Sequence, residues 1–213
     1  MPKSKRAVKD IPIFLDQVFK QLNEQLEAPS WNYKINMGPF ELRDKALFSL
    51  LILTGGRASE IGLVKISQFH IAGPGVTIHN FVTFKEGLLR KEIYLPRTGA
   101  LGIYTDVCLE WIKELRASGI PENGHFIPAG DPYGNFVFSR GLGRKRIWAI
   151  IKFRTGLFPH WFRGVHETIY GRLVFKNDAW KLKEHMGLKR VDSTAPYVRG
   201  ELEAHDLNRL KNL

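Results

Sequence analysis

Apolar residues recur at helical spacing near the start of the 213-residue chain. Over Ile11–Leu26 they stand at offsets of 3, 4, 7 and 11 residues, which predicts an amphipathic core helix. The positions are Leu15, Val18, Phe19, Leu22 and Leu26. After a stretch broken by proline and glycine, a second apolar helix is predicted over Glu41–Leu53. It ends before Gly55 and Gly56, so Arg57 stands where a new helix begins.

The middle of the chain changes from helical spacing to alternation. Val76–Phe84 alternates apolar and polar positions, and Lys91–Leu95 can return antiparallel after a turn at Glu86–Arg90, which predicts a β-hairpin. A helix is predicted next over Thr105–Arg116, with the threonine as its cap. Three prolines and three glycines in Ile120–Phe138 predict a loop.

The last third of the chain is predicted to be helical. A basic helix covers Ser139–Arg154, and a second helix covers Pro159–Phe175. A short helix follows a cap at Asn177 or Asp178 and ends at Gly187, and the tail from residue 193 also has a helical pattern. The fold class predicted is α+β, mainly α-helical with a small antiparallel β-sheet or hairpin.

Length and composition narrow the class of protein. The chain is somewhat longer than one typical domain, and its 44% hydrophobic residues suffice for a buried core. No apolar run is long enough to span a bilayer, and no signal-like segment opens the sequence, so we expect neither a membrane partner nor secretion. The single cysteine, Cys108, cannot form an internal disulfide. It is predicted to fill the core of a cytoplasmic protein.

The charge balance indicates a polyanionic partner. Lysine and arginine number 32 against 21 aspartates and glutamates, giving a net charge of +11 and a pI near 9.8. Residues 140–190 alone hold thirteen basic side chains against three acidic ones. A solvated basic face is the simpler interpretation, but nucleic acid is the favoured partner.

Several kinds of chemistry are excluded by missing motifs. There is no nucleotide-binding phosphate loop, and Gly141–Arg146 lacks the third glycine of a dinucleotide fingerprint. His166 and Glu167 begin like a zinc-protease motif, but Tyr170 takes the place of the second histidine. No zinc-finger spacing, nucleophile elbow or two-metal carboxylate pair is present. We therefore expect no metal, no cofactor and no nucleotide, so phosphoryl chemistry would run on side chains alone.

Three short segments resemble the motifs of one enzyme family. Leu42–Phe69 resembles the first arginine box of the tyrosine recombinase, or phage integrase, family, Pro159–Arg163 resembles its HxxR box, and Met186–Tyr197 resembles its final tyrosine block. Arg57 precedes His160 by 103 positions, and Arg163 precedes the tyrosine by 34, both of the size that the family shows. The resemblance covers residues 41–200, with the archaeal viral and plasmid integrases as one candidate type.

The resemblance implies two phosphate clamps and a proton carrier. Arg57 and Arg163 would hold the non-bridging oxygens of a scissile phosphate, with Glu60 orienting the first arginine. His160 would accept the nucleophile's proton or donate a hydrogen bond to the phosphate. The alternatives are structural: a buried Arg57–Glu60 pair, a basic surface residue at 163 and a core histidine at 160.

The remaining implied roles are those of the leaving-group acid and the nucleophile. Lys85, favoured over Lys91 across the hairpin turn, would protonate the leaving 5′ oxygen. Tyr197 would attack phosphorus and form a 3′-phosphotyrosyl bond. Tyr170 is a poorer candidate, because seven positions along one helix place it ~10 Å from Arg163.

The chain departs from the family pattern in two ways. Leu188 occupies the family's histidine or tryptophan position and cannot exchange a proton, and Lys189 beside it is a candidate substitute. The family usually carries a separate helical DNA clamp before the arginine box, and only about forty residues precede that box here. The chain is therefore either a minimal form or a fragment. The predicted organisation is an N-terminal helix and arm over 1–40, a catalytic domain over 41–200 and a tail over 201–213.

The function predicted is that of a site-specific recombinase or integrase that cleaves and rejoins double-stranded DNA. The alternatives are a type IB topoisomerase-like relaxing enzyme and a non-catalytic DNA-binding protein of the same fold. A homotetramer on DNA is expected from the resemblance, and residues 201–213 could dock on a neighbouring subunit. The side chains predicted to contact DNA are Arg140, Arg144, Lys145, Arg146, Lys189 and Arg190.

Overall fold

The computed structural model describes residues 20, 22–24, 39–73, 75–83, 89–131 and 135–194. Lys20 and residues 22–24 are helical, but the rest of the helix predicted over Ile11–Leu26 lies outside the described residues. So do the end of the first predicted hairpin strand and the tail from residue 195 onward.

Six α-helices and five β-strands follow in order in the described ranges. The helices are α1 (Pro39–Thr54), α2 (Ala58–Ile61), α3 (Gly102–Ala117), α4 (Arg144–Thr155), α5 (Pro159–Ile169) and α6 (Ala179–His185). The strands are β1 (Phe69–Ala72), β2 (Gly75–Val82), β3 (Leu89–Pro96), β4 (Pro128–Gly130) and β5 (Phe136–Gly141). Short 3₁₀ segments cover Ile66–Gln68, Gly99–Leu101 and Val191–Ser193, and a π-helical turn covers Tyr170–Val174. The predicted α+β class, mainly helical with small antiparallel sheets, is confirmed.

Helix α1 is the centre of the core. Its residues from 46 to 54 are all buried, as expected for a helix that is apolar on every side and packs on α3 and α5. Phe48 contacts Phe162 of α5 edge-on at 5.1 Å between ring centroids, and Tyr104 of α3 at 6.3 Å. Cys108 is buried in the same core, which confirms its predicted place. No helix within the described ranges is both long and apolar enough to cross a membrane.

A three-stranded antiparallel sheet in the order β1, β2, β3 covers one side of the core. Ile78 pairs with Ile93 in the predicted hairpin, and both side chains are buried. Strand β1 was not predicted from the sequence, because only Phe69 of its four residues is buried and the segment shows no alternation of apolar and polar positions. Arg90, predicted as part of the turn, lies in β3 opposite Phe81 and is buried.

Two predictions around the second sheet are wrong. Ile120–Phe138 is not all loop, since β4 pairs antiparallel with β5 within and just beyond it. The Phe136 ring packs on Phe40 at 4.7 Å and on Trp111 at 5.5 Å, contacts that fix β5 from outside the segment. Ser139 does not open a helix because it belongs to β5, and α4 begins after Gly143.

Some helix boundaries differ from the predicted ones because tertiary contacts determine where the helix begins. Thr105 does not cap α3: it lies inside the helix, and its hydroxyl donates a hydrogen bond to the Pro96 carbonyl at 2.6 Å. The predicted cap Asp178 is confirmed, since its carboxylate accepts hydrogen bonds from the N–H groups of Trp180 and Lys181. Gly187, at φ +61°, ends α6 as predicted.

A buried ionic cluster ties α4 to α1. Asp44 accepts hydrogen bonds from its neighbour Arg43 at 2.6 Å and from Arg154 of α4 at 3.1 Å. All three side chains are at least 94% buried. The cluster therefore fixes the position of α4 against the core helix.

We expect Asp44→Asn to lower the free energy of unfolding by about 3–5 kcal/mol, because it leaves two buried guanidiniums without their carboxylate. Glu41→Gln on the same helix is the matched control. It breaks a solvent-accessible pair with Lys45 and should cost no more than about 0.5 kcal/mol. Urea denaturation measures both values. Equal losses in the two variants would contradict the structural role of the cluster.

Candidate active site

The turn after α1 presents Arg57. Gly55 adopts a left-handed conformation at φ +60°, and Arg57 is extended and precedes α2. Glu60 accepts a hydrogen bond from the Arg57 backbone N–H at 2.7 Å and from its Nη1 at 2.8 Å. The glutamate side chain is fully buried, whereas 28% of the arginine side chain is exposed. The guanidinium is thus anchored from behind and keeps a surface open to a ligand.

Arg163 on α5 lies beside this turn. Its Nη1 donates a hydrogen bond to the Gly55 carbonyl at 2.9 Å, and its Nε pairs with Glu167 one turn further along the helix at 3.0 Å. The alternative of an ordinary surface arginine is wrong, because the residue is only 5% exposed. Arg163 connects α5 directly to the backbone that carries Arg57.

The ion-pair partner of Arg163, Glu167, is itself buried. Burial raises the pKa of Glu167 to about 7, against the opposing fields of Arg163 and Arg57. Near neutral pH the carboxyl group is therefore only partly ionised. The guanidinium retains positive charge that can act on an anion in front of it.

His160 lies in the first turn of α5, directly after Pro159. The predicted alternative of a core histidine is wrong, since the residue is exposed. Partial desolvation lowers the pKa of His160, and the charges of Arg163 and Arg57 lower it further. A neutral imidazole is able to accept a proton.

These side chains share one open cleft of about 500 Å³. Arg57, His160 and Arg163 all line it, and Arg144 of α4 joins them. The residues on either side of Arg57 and those at the start of α5 form walls of the cleft. The remaining lining residues are Gly56, Ala58, Ser59, Trp148, Phe158 and Pro159.

Other predicted site residues lie elsewhere or outside the described ranges. Lys85 and Tyr197 are among the residues that the structure does not describe. Lys91 is exposed on β3. Leu188 is buried and Lys189 is exposed, and neither lines the cleft.

Tyr170, the rival nucleophile, is buried away from the cleft. Its hydroxyl donates a hydrogen bond to the Tyr94 carbonyl at 3.3 Å, and burial raises the pKa of the phenol to about 12. It begins the π-helical turn, so α5 ends earlier than the predicted Phe175. These properties argue against Tyr170 as an attacking group.

The residues predicted to contact DNA are all exposed. Arg144 is the member of this group that lines the cleft. The others are spread over β5, the first turn of α4 and the segment after α6: Arg140, Lys145, Arg146, Lys189 and Arg190.

Sequence reasoning missed a cluster at the end of α1 formed by the buried Arg90 and His166 and the half-buried His185. Arg90 donates a hydrogen bond from Nη1 to the Thr54 carbonyl, and its Nη2 lies 2.9 Å from His185 Nε2. His166 donates from Nδ1 to the Ile52 carbonyl at 2.8 Å, and its Nε2 lies 3.0 Å from His185 Nε2. No local signal marks these residues, because they come from β3, α5 and α6.

This cluster holds both histidines neutral. Burial lowers the pKa of His185 to about 2, and the Arg90 charge acts in the same direction. Burial likewise holds the pKa of His166 well below its ordinary value. Arginine has no acceptor atom, so Arg90 donates from Nη2 to the lone pair of His185 Nε2, while His166 donates through Nδ1.

Within the described ranges, no group of three or more histidine, cysteine, aspartate or glutamate side chains is placed to hold a metal ion.

The comparisons with known proteins agree with the fold and the three boxes. The tyrosine recombinase XerC of Herpetosiphon aurantiacus is 30% identical over 186 residues, 84% of this chain and 53% of that protein. The crystal structure of the XerA recombinase matches with a TM-score of 0.59 at 17% identity, covering 93% of this chain and 62% of that one. XerH site-specific recombinase bound to palindromic difH substrate, a post-cleavage complex, also gives 0.59, at 15% identity, covering 91% and 50%.

These likenesses support a domain of the tyrosine recombinase and integrase family, as the three boxes predict. The chain spans about half the length of the curated relative that it matches. No family model matches the sequence.

We expect the free energy of unfolding to fall as the pH is lowered below about 6.5, the ordinary histidine pKa of the unfolded chain. Because the folded state depresses the pKa of His166 and His185, the unfolded state binds more protons there. The raised pKa of Glu167 acts in the opposite direction, but it is one group against two. Each neutral histidine contributes a slope of at most about 1.4 kcal/mol per pH unit. In His185→Gln the slope should be shallower. Urea denaturation between pH 7.5 and 5.5 measures it, and parallel curves for the two proteins would refute the assignment.

Proposed function

We propose that the chain breaks and rejoins DNA strands as a site-specific recombinase or integrase. The observation that carries this proposal is the convergence of Arg57, Arg144, His160 and Arg163 on one open cleft. Three guanidiniums and an imidazole suit a phosphodiester, whose negative charge grows at the non-bridging oxygens during substitution. The net charge of +11 favours DNA as the molecule that carries this phosphate.

The proposed reaction is an exchange of esters at phosphorus. The Tyr197 oxygen attacks the phosphorus and passes its proton to His160, while Arg57 and Arg163 hold the non-bridging oxygens. The bond from phosphorus to the 5′ oxygen breaks, and Lys85 protonates that oxygen. The product is a 3′-phosphotyrosyl ester that conserves the energy of the broken bond, so rejoining needs no nucleotide.

Binding should be dominated by contacts to phosphates. The exposed cations that would contact phosphates outside the cleft are Arg140, Lys145, Arg146, Lys189 and Arg190. Each phosphate contact releases counterions, so the affinity should fall steeply as the salt concentration rises. We further propose that four copies act on two duplexes, with residues 201–213 docking on a neighbouring copy. Deleting 201–213 and finding unchanged assembly on DNA would contradict this docking.

A second candidate function is that of a non-catalytic DNA-binding protein with the same fold. Leu188 favours it, because a buried aliphatic side chain stands where the family has a hydrogen-bonding residue. A recombinase forms a covalent adduct with DNA and a non-catalytic binding protein does not, so this adduct distinguishes the two functions.

We expect Arg57→Ala and Arg163→Ala to abolish cleavage while leaving most DNA binding intact. Losing one charged donor to the transition state costs about 3–4 kcal/mol. Lys113→Ala, which removes an exposed cation of α3 that does not line the cleft, is the control and should cleave normally. Arg163→Lys keeps the positive charge but lacks the planar guanidinium, so it shows whether charge alone supports cleavage. Thermal unfolding identifies any variant that does not fold. Near-normal cleavage by either alanine variant would refute the clamp assignment.

The nucleophile is tested by trapping the intermediate. On nicked suicide duplexes of randomised sequence, the wild-type chain should form an adduct that survives denaturing electrophoresis. Tyr197→Phe should form none because the attacking oxygen is gone, and Tyr170→Phe should still form it. An adduct in Tyr197→Phe would overturn the assignment, whereas no adduct from the wild-type chain would favour the non-catalytic alternative.

A further inference from the structure

Two exposed aromatic side chains form a wall of the candidate active site. Trp148 on α4 and Phe158 before α5 line the same cleft as the arginines, and they are 48% and 47% exposed. Their ring centroids are 5.6 Å apart, and the ring planes differ by 33°. Large aromatic surfaces left in water at a cleft are typical of contacts with a ligand.

The aromatic wall is held in place before any ligand arrives. The Lys152 Nζ lies 4.3 Å from the centre of the Phe158 ring and donates a hydrogen bond to the Gly156 carbonyl. Gly156 adopts the left-handed conformation that ends α4, so this carbonyl is fixed by the turn between the two helices. Rings that are already ordered lose little conformational entropy on binding.

The chemistry of the cleft identifies the class of occupant. Arg57, Arg144 and Arg163 favour an anion, but a phosphate by itself has no apolar surface to cover two rings. A nucleotide has both parts: a phosphate for the guanidiniums and a flat base for the aromatic wall. Inside a duplex the faces of a base are covered by its neighbours, so stacking on a protein ring requires a base that has left the stack.

We propose that Trp148 and Phe158 stack on an unpaired DNA base next to the phosphate held by the arginines. This inference rests on the proposed function, because it takes DNA as the substrate of the cleft. It adds a contact to the base that is separate from the contacts to the backbone. Strand breakage at this site would then favour positions where the duplex opens readily, since unpairing has a free-energy cost.

The test compares two probes of equal charge in equilibrium binding to the full chain. One probe is a duplex with a short unpaired tract, and the other has abasic sites in place of the unpaired bases. The wild-type chain should bind the first probe roughly five- to a hundredfold more tightly. Trp148→Ala and, separately, Phe158→Leu should bind the two probes almost equally.

The control is Phe153→Ala, which removes a 64% exposed ring from α4 that does not line the cleft. It should keep the wild-type preference. Trp148→Ala should also keep the salt dependence of binding, whereas Arg144→Ala should reduce its slope by about one. The inference is overturned if the wild-type chain shows no preference, if Trp148→Ala retains it, or if Phe153→Ala loses it. This binding test does not depend on cleavage. If the chain shows the expected preference but forms no covalent adduct, the proposed reaction is contradicted and the stacking inference stands.

Discussion

The carbonyl end of helix α1 sets the geometry of the site. A helix leaves its last carbonyl groups without intrahelical partners, and α1 ends among buried residues where water cannot satisfy them. The carbonyls of Ile52, Thr54 and Gly55 instead accept hydrogen bonds from His166, Arg90 and Arg163. The donors come from β3 and α5, so satisfying the helix end also fixes the turn that carries the first arginine. Gly55 permits the close approach, because a Cβ there would lie 2.6 Å from the His166 ring.

This arrangement concentrates positive charge in a region of low polarity. Arg90 and Arg163 are both buried, and burial together with the neighbouring Arg163 lowers the pKa of Arg90 to about 9. Glu60 and Glu167 provide the opposing carboxyl groups, but the latter is only partly ionised near neutral pH. Burying several cations close together has a desolvation cost, as expected where charges are arranged for function rather than for stability.

Helices α4 and α5 contribute two kinds of surface to the cleft, one charged and one aromatic. Arg163 and His160 on α5 line the cationic side of the cleft, while Trp148 on α4 and Phe158 before α5 form the aromatic wall. The buried Asp44 cluster holds α4 against the core. The proposed contacts to backbone and base depend on different side chains, so each can be altered without changing the other.

The sequence by itself determined the residue types of the site and the order of the main helices. Residues 46–53 of the helix predicted over Glu41–Leu53 are apolar apart from Ser49, which indicates a buried helix, and the Ile78 and Ile93 hairpin follows from alternation. The tertiary structure decided the features that the local pattern of apolar and polar residues does not determine. Phe136 lies in a strand because distant aromatic rings hold it there, and Arg90 enters the core because α1 presents an unpaired carbonyl. Spacing along the chain shows which face of an element is apolar, but hydrogen-bond partners depend on segments that are more than a hundred residues away.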